Sequence, residues 1–469
     1  MHSDTGNKGV KGLFWNLIDN VKGDKVVWII VFMLVMISVL AVSSSTSLLV
    51  MKTGDRLGIA FEQSVFALAG LAIIWCLCRV SNIEWFRKFS QAGFILSLGA
   101  LILLVARIDW GFIKAIKING VYRILELGGF QIHVFECVKV AMVMYMAWAV
   151  DAFKKDKEAI EAGRESKEFG LLKWLSSHEK LGFLKQGIWK KVMYFYIPIM
   201  TVCLMVIPGS NSTAIFLGGV LIATLWIGGI PLKEIFAIAG VCFAVLMLLI
   251  CIHKVSDGKM FGRVGTLLGR FEADYNPRSL DTVKVNSKEF YKILDEIKQP
   301  FGAKVAVHEG GFFGKGSGNS TQKYLVPLMY SDYMFSFIVE EYGLWGAFLV
   351  IALYVSLLAR GSMIARLSDN EYAKIVVGGL SLLITGQAFL HMFVNVNIGP
   401  MTGQTLPLVS HGSSAFLMFS FAFGVILSIS RMNRERIKKE EEAATPIYEK
   451  KEDELQATLQ DIEQLERFE

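Results

Sequence analysis

The sequence predicts an all-α polytopic membrane protein with about ten transmembrane helices and one long extracytoplasmic loop. Three observations carry this. Of 469 residues, 53% are hydrophobic and only 19% charged, and the mean hydropathy is +0.47; an ordinary soluble domain carries about 25% charged residues. The apolar residues lie in long blocks rather than in short alternating runs. Lys and Arg gather in alternate segments between those blocks.

The blocks long enough to cross roughly 30 Å of hydrocarbon are 27–50, 59–80, 91–108, 134–152, 193–208, 212–230, 235–253, 332–356, 374–397 and 412–431. The first follows Lys22 and Lys25. Within it, Ala41-Val42-Ser43 has the small-residue pattern of a signal-peptidase site. The polar stretch before the block is long and the block continues past that point, so an uncleaved first span is expected. Arg79, Arg87 and Lys88 separate the second block from the third. The fourth is interrupted by Glu136 and Lys139, the fifth is short and ends at Pro208, and the seventh ends or breaks near His253.

Basic residues fix the expected orientation. A dense set lies from Lys154 to Lys191, joined by Lys233, Arg360, Arg366, Arg431, Arg434 and Arg436. The opposite short loops hold few, such as Lys52, Arg56, Lys114, Lys117 and Arg123. Both termini are therefore expected in the cytoplasm, which needs an even number of spans. The expected units are a cytoplasmic N-terminus (1–26), a ten-helix membrane domain (27–431) with a long outer loop (254–331), and a cytoplasmic tail (432–469). In the tail Leu455, Leu459, Ile462, Leu465 and Phe468 recur at helical spacing and predict an amphipathic helix. The charged 153–192 segment, with Trp174, Leu181, Phe183 and Trp189, reads as an amphipathic stretch at the membrane surface.

The six cysteines fall in or at the ends of apolar blocks, which predicts packing rather than a disulfide framework. A net charge of +6 is modest, and nucleic acid is not an expected partner.

Chemistry is sought first in the outer loop, which holds Arg263, Arg270, Asp274, Asn276-Pro277-Arg278, Asp281, Lys304, His308 and Glu309. Basic side chains there can bind pyrophosphate, and an aspartate among them can act as general base for a sugar hydroxyl. On charge alone an ordinary solvated loop is the better fit. The run Gly310, Gly311, Gly314, Gly316 and Gly318 is not a nucleotide loop, because Gly314-Lys315 is followed by Gly316 rather than Ser or Thr. A tight or re-entrant loop is expected instead. Just beyond it, Glu340 and Glu341 stand inside an apolar block, where a charge costs on the order of 3 kcal/mol or more.

Glu136 and Lys139 share a helix face at i and i+3. They are expected to pair with each other or line a polar cavity. His391, Asn395 and Asn397 read as hydrogen-bonding residues between helices. No His/Cys/Asp/Glu group has metal-ligand spacing, and no G-x-S-x-G nucleophile motif is present.

Five segments, in order, resemble the SEDS (shape, elongation, division and sporulation) family over most of the chain. They are Asn119-Gly120-Val121-Tyr122-Arg123, His133 to Lys139, Pro208 to Ala214, Gly310 to Gly346, and Thr402 to Ser414. The second keeps the family's Glu and Lys but not its Q-P-S; the third lacks the family's Asp; the fifth has His411 for an aromatic and Ser413 for a glycine. The resemblance implies a bacterial inner-membrane glycosyltransferase that polymerises lipid II into glycan strands, releasing undecaprenyl pyrophosphate. It implies an outer-loop Asp as general base: Asp281, five residues past Asn276, with Asp274 as fallback. For that reaction the candidate substrate-binding residues are Arg123, Glu136, Lys139 and Ser410, with Arg263, Arg270, Lys304, Lys315 and Lys323 as candidates to meet the charge on the leaving pyrophosphate. The resemblance also implies a divalent cation, Mg or Mn, with no nucleotide. T-G-Q-T-L-P-L-V-S, from Thr402, is closer to the division-type branch. That branch implies a class B penicillin-binding protein as transpeptidase partner, with other division proteins and membrane lipids around it. A lipid II flippase, or a non-catalytic scaffold of the division machinery, are the alternatives.

Overall fold

The computed structural model describes residues 22–47, 56–118, 120–165, 169–170, 174, 176–177, 187–256 and 287–466. Helices occupy all ten expected blocks: α1 Lys25–Ser45, α2 Arg56–Cys78, α3 Ile83–Val105, α4 Val134–Glu161, α5 Gly187–Val206, α6 Asn211–Ile227, α7 Leu232–Val255, α9 Met334–Arg366, α10 Glu371–Asn395 and α11 Ser413–Glu466. A further helix, α8, runs from Lys288 to Gly310. Among the described residues, eight of these helices are long and apolar enough to cross a membrane. The other two spans are α6, at 17 residues, and α4, which carries Glu136, Lys139 and Asp151 within its length.

Several helices begin where the sequence supplies a cap. Asp24 accepts from the Val27 amide at 3.0 Å and starts α1, Asn82 caps α3, Ser210 caps α6 and Asn370 caps α10. The outward faces are apolar. On α1, Ile29, Phe32, Met36 and Leu40 are exposed at helical spacing, as are Phe61, Leu68 and Trp75 on α2. Water would not tolerate such stripes, whereas lipid does. The inward faces form one continuous core. Helix α10 lies in its middle, with 72% of its apolar window buried.

Three features go beyond the expected all-helical outline. Between α3 and α4 lies a three-stranded antiparallel sheet: β1 Ile113–Ile118, β2 Val121–Leu127 and β3 Phe130–His133, in the order β1-β2-β3. Gly120, Gly128 and Gly129 at its two turns have positive φ. A register shift between Ile116 and Lys117 breaks the two-residue period of β1. Second, the loop before α9 contains α8, which Ser287 caps through the Phe290 amide at 3.0 Å. Third, the first and third spans are displaced toward their N-termini, so Arg87 and Lys88 lie within α3 rather than before it. Buried Arg87 is tolerated there because it pairs with Asp151 of α4 at 3.0 Å and with Glu84 at 3.2 Å.

Helix α9 is broken at Gly343, where φ is +67° and ψ −163°. The break interlocks with the glycine loop. A Cβ at Gly343 would lie 2.4 Å from the Phe312 carbonyl oxygen, and one at Gly314 would lie 2.3 Å from that of Glu341. The break also removes the helical donors for the carbonyls of Glu340 and Glu341. Those carbonyls accept instead from the amides of Lys315 and Gly316, both at 2.9 Å, and the Leu344 amide donates to Gly311 at 3.1 Å. These three bonds to the loop replace helical ones lost at the break, which is what allows a broken helix inside a membrane protein. The tail helix runs without interruption from the tenth span to Glu466.

Candidate functional site

The first polar centre starts at the N-terminus of α4. Glu136 and Lys139 lie one helical turn apart, and the Lys139 ammonium sits 2.8 Å from both Glu136 carboxylate oxygens. Lys139 is fully buried, while the Glu136 side chain retains 14% exposure. The ammonium also donates to Gln387 Oε1 on α10 and, at 3.0 Å, to Gln404 Oε1 in the segment between α10 and α11. Its three protons are therefore all used. Both amides are themselves held. Gln404 Nε2 donates to Thr213 Oγ1 of α6 at 2.7 Å, and Gln387 Nε2 donates to the Thr405 carbonyl at 2.9 Å. His391 Nδ1 lies 2.7 Å from the Gln404 carbonyl oxygen. One lysine thereby ties α4, α6, α10 and the 396–412 segment together, with Glu136 at the wetter edge.

The second centre is built on the break in α9. Glu340 and Glu341 are 0% and 1% exposed. Glu340 accepts from Lys315 Nζ at 2.9 Å, the Thr321 amide at 2.8 Å, Thr321 Oγ1 at 3.0 Å, the Gln322 amide at 3.2 Å and Ser320 Oγ. Glu341 accepts from Ser44 Oγ of α1 at 2.7 Å and pairs with Lys323 at 3.7 Å. Lys323 donates in turn to the Gly318 carbonyl at 2.7 Å. Lys315 also pairs with Glu309. Its hydrogen bond to Lys315 holds the Glu309 carboxyl below its ordinary value. At Lys315, burial pulls the ammonium down, but the hydrogen bonds to Glu309 and Glu340 outweigh this and raise it.

The third feature is the 396–412 segment, which closes over the bundle. Ser410 is 4% exposed. Its hydroxyl donates to the Ser331 carbonyl at 2.7 Å and accepts from the Leu406 amide at 2.9 Å. The His411 amide donates to the Tyr330 carbonyl, and its Nδ1 lies 3.0 Å from Gln63 Oε1. Burial lowers the His411 imidazole, with Glu62 acting weakly the other way. Asp332 follows Ser331, whose hydroxyl donates to its Oδ1 at 3.0 Å. Nearby, Arg123 Nε of β2 donates at 3.0 Å to the Gly209 carbonyl at the turn into α6.

Of the residues the sequence singled out, Glu136 and Lys139 are brought together. Lys315 and Lys323 are held by buried carboxylates, Ser410 and Arg123 bind backbone carbonyls, and Lys304 is exposed on α8. Asp274, Asp281, Arg263 and Arg270 lie outside the described residues. Sequence reasoning passed over Gln387, Gln404, Thr213 and Ser44. A polar side chain in or beside an apolar span was the available signal for each. Among the described residues, no three His, Cys, Asp or Glu side chains gather to hold a metal ion.

Comparison with known proteins gives this architecture a family. The sequence model of the FtsW/RodA/SpoVE family, described as cell cycle protein, matches residues 24–435. The chain is 26% identical over 414 residues to the probable peptidoglycan glycosyltransferase FtsW of Legionella pneumophila, covering 87% of this chain and 91% of that one. It is 26% identical over 407 residues to the probable peptidoglycan glycosyltransferase FtsW of Pseudomonas fluorescens, covering 86% of each. Among solved structures it resembles a chain from a peptidoglycan synthase complex studied for its coordination of polymerization and crosslinking. That match has 18% identity and a TM-score of 0.58, covering 87% of this chain and 98% of that one. The Thermus thermophilus rod shape determining protein RodA matches with 16% identity and a TM-score of 0.52, covering 88% of this chain and 98% of that one.

Proposed function

This chain belongs to the FtsW/RodA/SpoVE cell cycle protein family, and we propose that it is a peptidoglycan glycosyltransferase that polymerises lipid II. The observation that carries the reading is the family match from residue 24 to 435, which takes in both buried polar centres and the segment that closes over them. Relatives named as probable peptidoglycan glycosyltransferases cover the same length.

In this reading the acceptor's sugar 4-hydroxyl attacks the anomeric carbon of the donor. The new glycosidic bond forms as the bond to the pyrophosphate oxygen breaks. Asp281 takes the hydroxyl proton, with Asp274 as the second candidate. Charge developing on the departing pyrophosphate is met by Arg263, Arg270 and Lys304. Lys315 and Lys323 are assigned a different task, because Glu340 and Glu341 already neutralise them. They hold the glycine loop against α9. Glu136 and Lys139 border the apolar groove that receives the lipid tail. A divalent cation on the pyrophosphate belongs to the family implication. Among the described residues no three His, Cys, Asp or Glu side chains gather to hold it.

The family supports a bacterial inner-membrane protein, and the Lys/Arg asymmetry supports both termini in the cytoplasm with the long loop outside. The FtsW names of the relatives support a role in division. Likeness to a chain of a complex that couples polymerization to crosslinking supports a class B penicillin-binding protein as transpeptidase partner. Purified protein reconstituted with lipid II and such a partner tests the reading. Glycan polymer is the expected product. Lipid II flipping without polymer would replace it with the flippase reading, and neither activity with a scaffold.

A further inference from the structure

We propose that the cavity where α1 begins, α9 ends and α11 leaves the bundle binds the headgroup of an anionic phospholipid. The cavity has a volume of about 320 Å³, at the lower end of the roughly 300–1,000 Å³ range of ligand cavities. Among the described residues its lining includes Lys25, Arg360 and Arg434 and one carboxylate, Asp24. The polar centres described above do not use it, and on the orientation proposed above it opens at the cytoplasmic leaflet.

The carboxylate is already committed. Asp24 Oδ1 caps α1 through the Val27 amide at 3.0 Å, and the Arg360 guanidinium pairs with the same side chain. Arg434 spends one donor on the Gly23 carbonyl at 2.7 Å. A guanidinium has five N–H donors in a fork that suits phosphate. Beside these cations stand exposed apolar side chains: Val26 at 37%, Met363 at 50% and Leu367 at 50% exposure. A free anion has no use for such a ledge. A phospholipid fits both halves, with its phosphodiester on the cations and the upper acyl carbons on the ledge. Basic pockets between membrane helices at the cytoplasmic leaflet take anionic headgroups for this reason.

Native mass spectrometry of the full chain in detergent, with phosphatidylglycerol and phosphatidylcholine as probes, tests this. Phosphatidylglycerol should be retained in preference to phosphatidylcholine. Lys25→Gln and Arg434→Gln should each lower its retention about fivefold, with the protein still folded by its melting curve. Asp24→Asn keeps an oxygen for the α1 cap and frees Arg360, so it should raise retention; a purely structural cluster would show only loss. Met363→Gln should weaken phosphatidylglycerol binding. Equal retention of the two lipids, or no change in the Lys25→Gln/Arg434→Gln double variant, would overturn the proposal. So would displacement of the lipid by an equal concentration of soluble glycerol phosphate, which would show an anion site indifferent to the ledge.

Discussion

Lys139 and Gln404, 265 residues apart in sequence, are joined by a 3.0 Å hydrogen bond in the interior of the bundle. The bond belongs to a network in which one ammonium satisfies acceptors from three separate parts of the chain. Among the described residues its charge is balanced by Glu136 alone, which keeps 14% exposure while Lys139 keeps none. The two halves of the pair should therefore not be equivalent.

Removing Glu136 strands a fully buried cation, whereas removing Lys139 leaves a carboxylate that can be partly hydrated. Glu136→Ala should destabilise by about 3–5 kcal/mol, and Lys139→Ala by less. The Glu136→Gln/Lys139→Met double variant should be milder than Glu136→Ala. Thermal unfolding of the purified protein in detergent reads the order. Normal melting of both single variants would dismiss the pair as a stabilising element.

Gly343 should not accept a side chain. Alanine there must adopt a positive-φ, extended-ψ backbone open essentially to glycine alone, costing about 1–3 kcal/mol, and its Cβ meets the Phe312 carbonyl oxygen at 2.4 Å. Gly343→Ala should lose at least about 2 kcal/mol and loosen the glycine loop toward protease. Gly399→Ala is the control, since nothing lies within 4 Å of its added carbon. Equal stability of the two variants would contradict the interlock.

The two glycine-loop lysines should respond differently to loss of a partner. Lys323 is 2% exposed, so Glu341→Ala should cost about 3–5 kcal/mol. Lys315 is 24% exposed and shared between Glu309 and Glu340, so Glu309→Gln should matter far less. Melting temperatures in the reverse order would refute the assignment.

The Glu309–Lys315 pair also sets a pH window. Its partner lowers Glu309 from 4.5, so that contribution is present above 4.5 and fades as pH falls through the lowered value. Lys315 is raised from 10.5, so its contribution is full below 10.5 and fades as pH rises through the raised value. The melting-temperature gap between wild type and Glu309→Gln should be steady between these limits and close beyond either. A gap that stays constant down to strong acid would show that the pair contributes nothing through charge.

The ten helices were legible because most of them are apolar over a membrane-spanning length, and one-dimensional composition carries that directly. So was the Glu136–Lys139 pair, since a three-residue spacing specifies a shared helix face. Gln387 and Gln404 were not legible as partners of Lys139, because only tertiary packing brings them across 248 and 265 residues. The sheet hid for a local reason. Its strands are four to seven residues long, and the shift at Ile116/Lys117 interrupts the alternation that marks a strand. The glycine run was legible as a tight loop. Its embrace of Glu340 and Glu341 was not, because that depends on where α9 breaks.

An outer-loop aspartate is proposed to drive glycan polymerisation. The most direct measurement is polymer formation from lipid II by the reconstituted protein with its transpeptidase partner, comparing wild type with Asp281→Asn and Asp274→Asn. Asn keeps size and polarity but cannot take a proton. Asp281→Asn should lower the polymerisation rate by about 10²-fold or more, with lipid II binding and melting temperature unchanged, and Asp274→Asn should retain activity. Wild-type rates in both variants would contradict the mechanism.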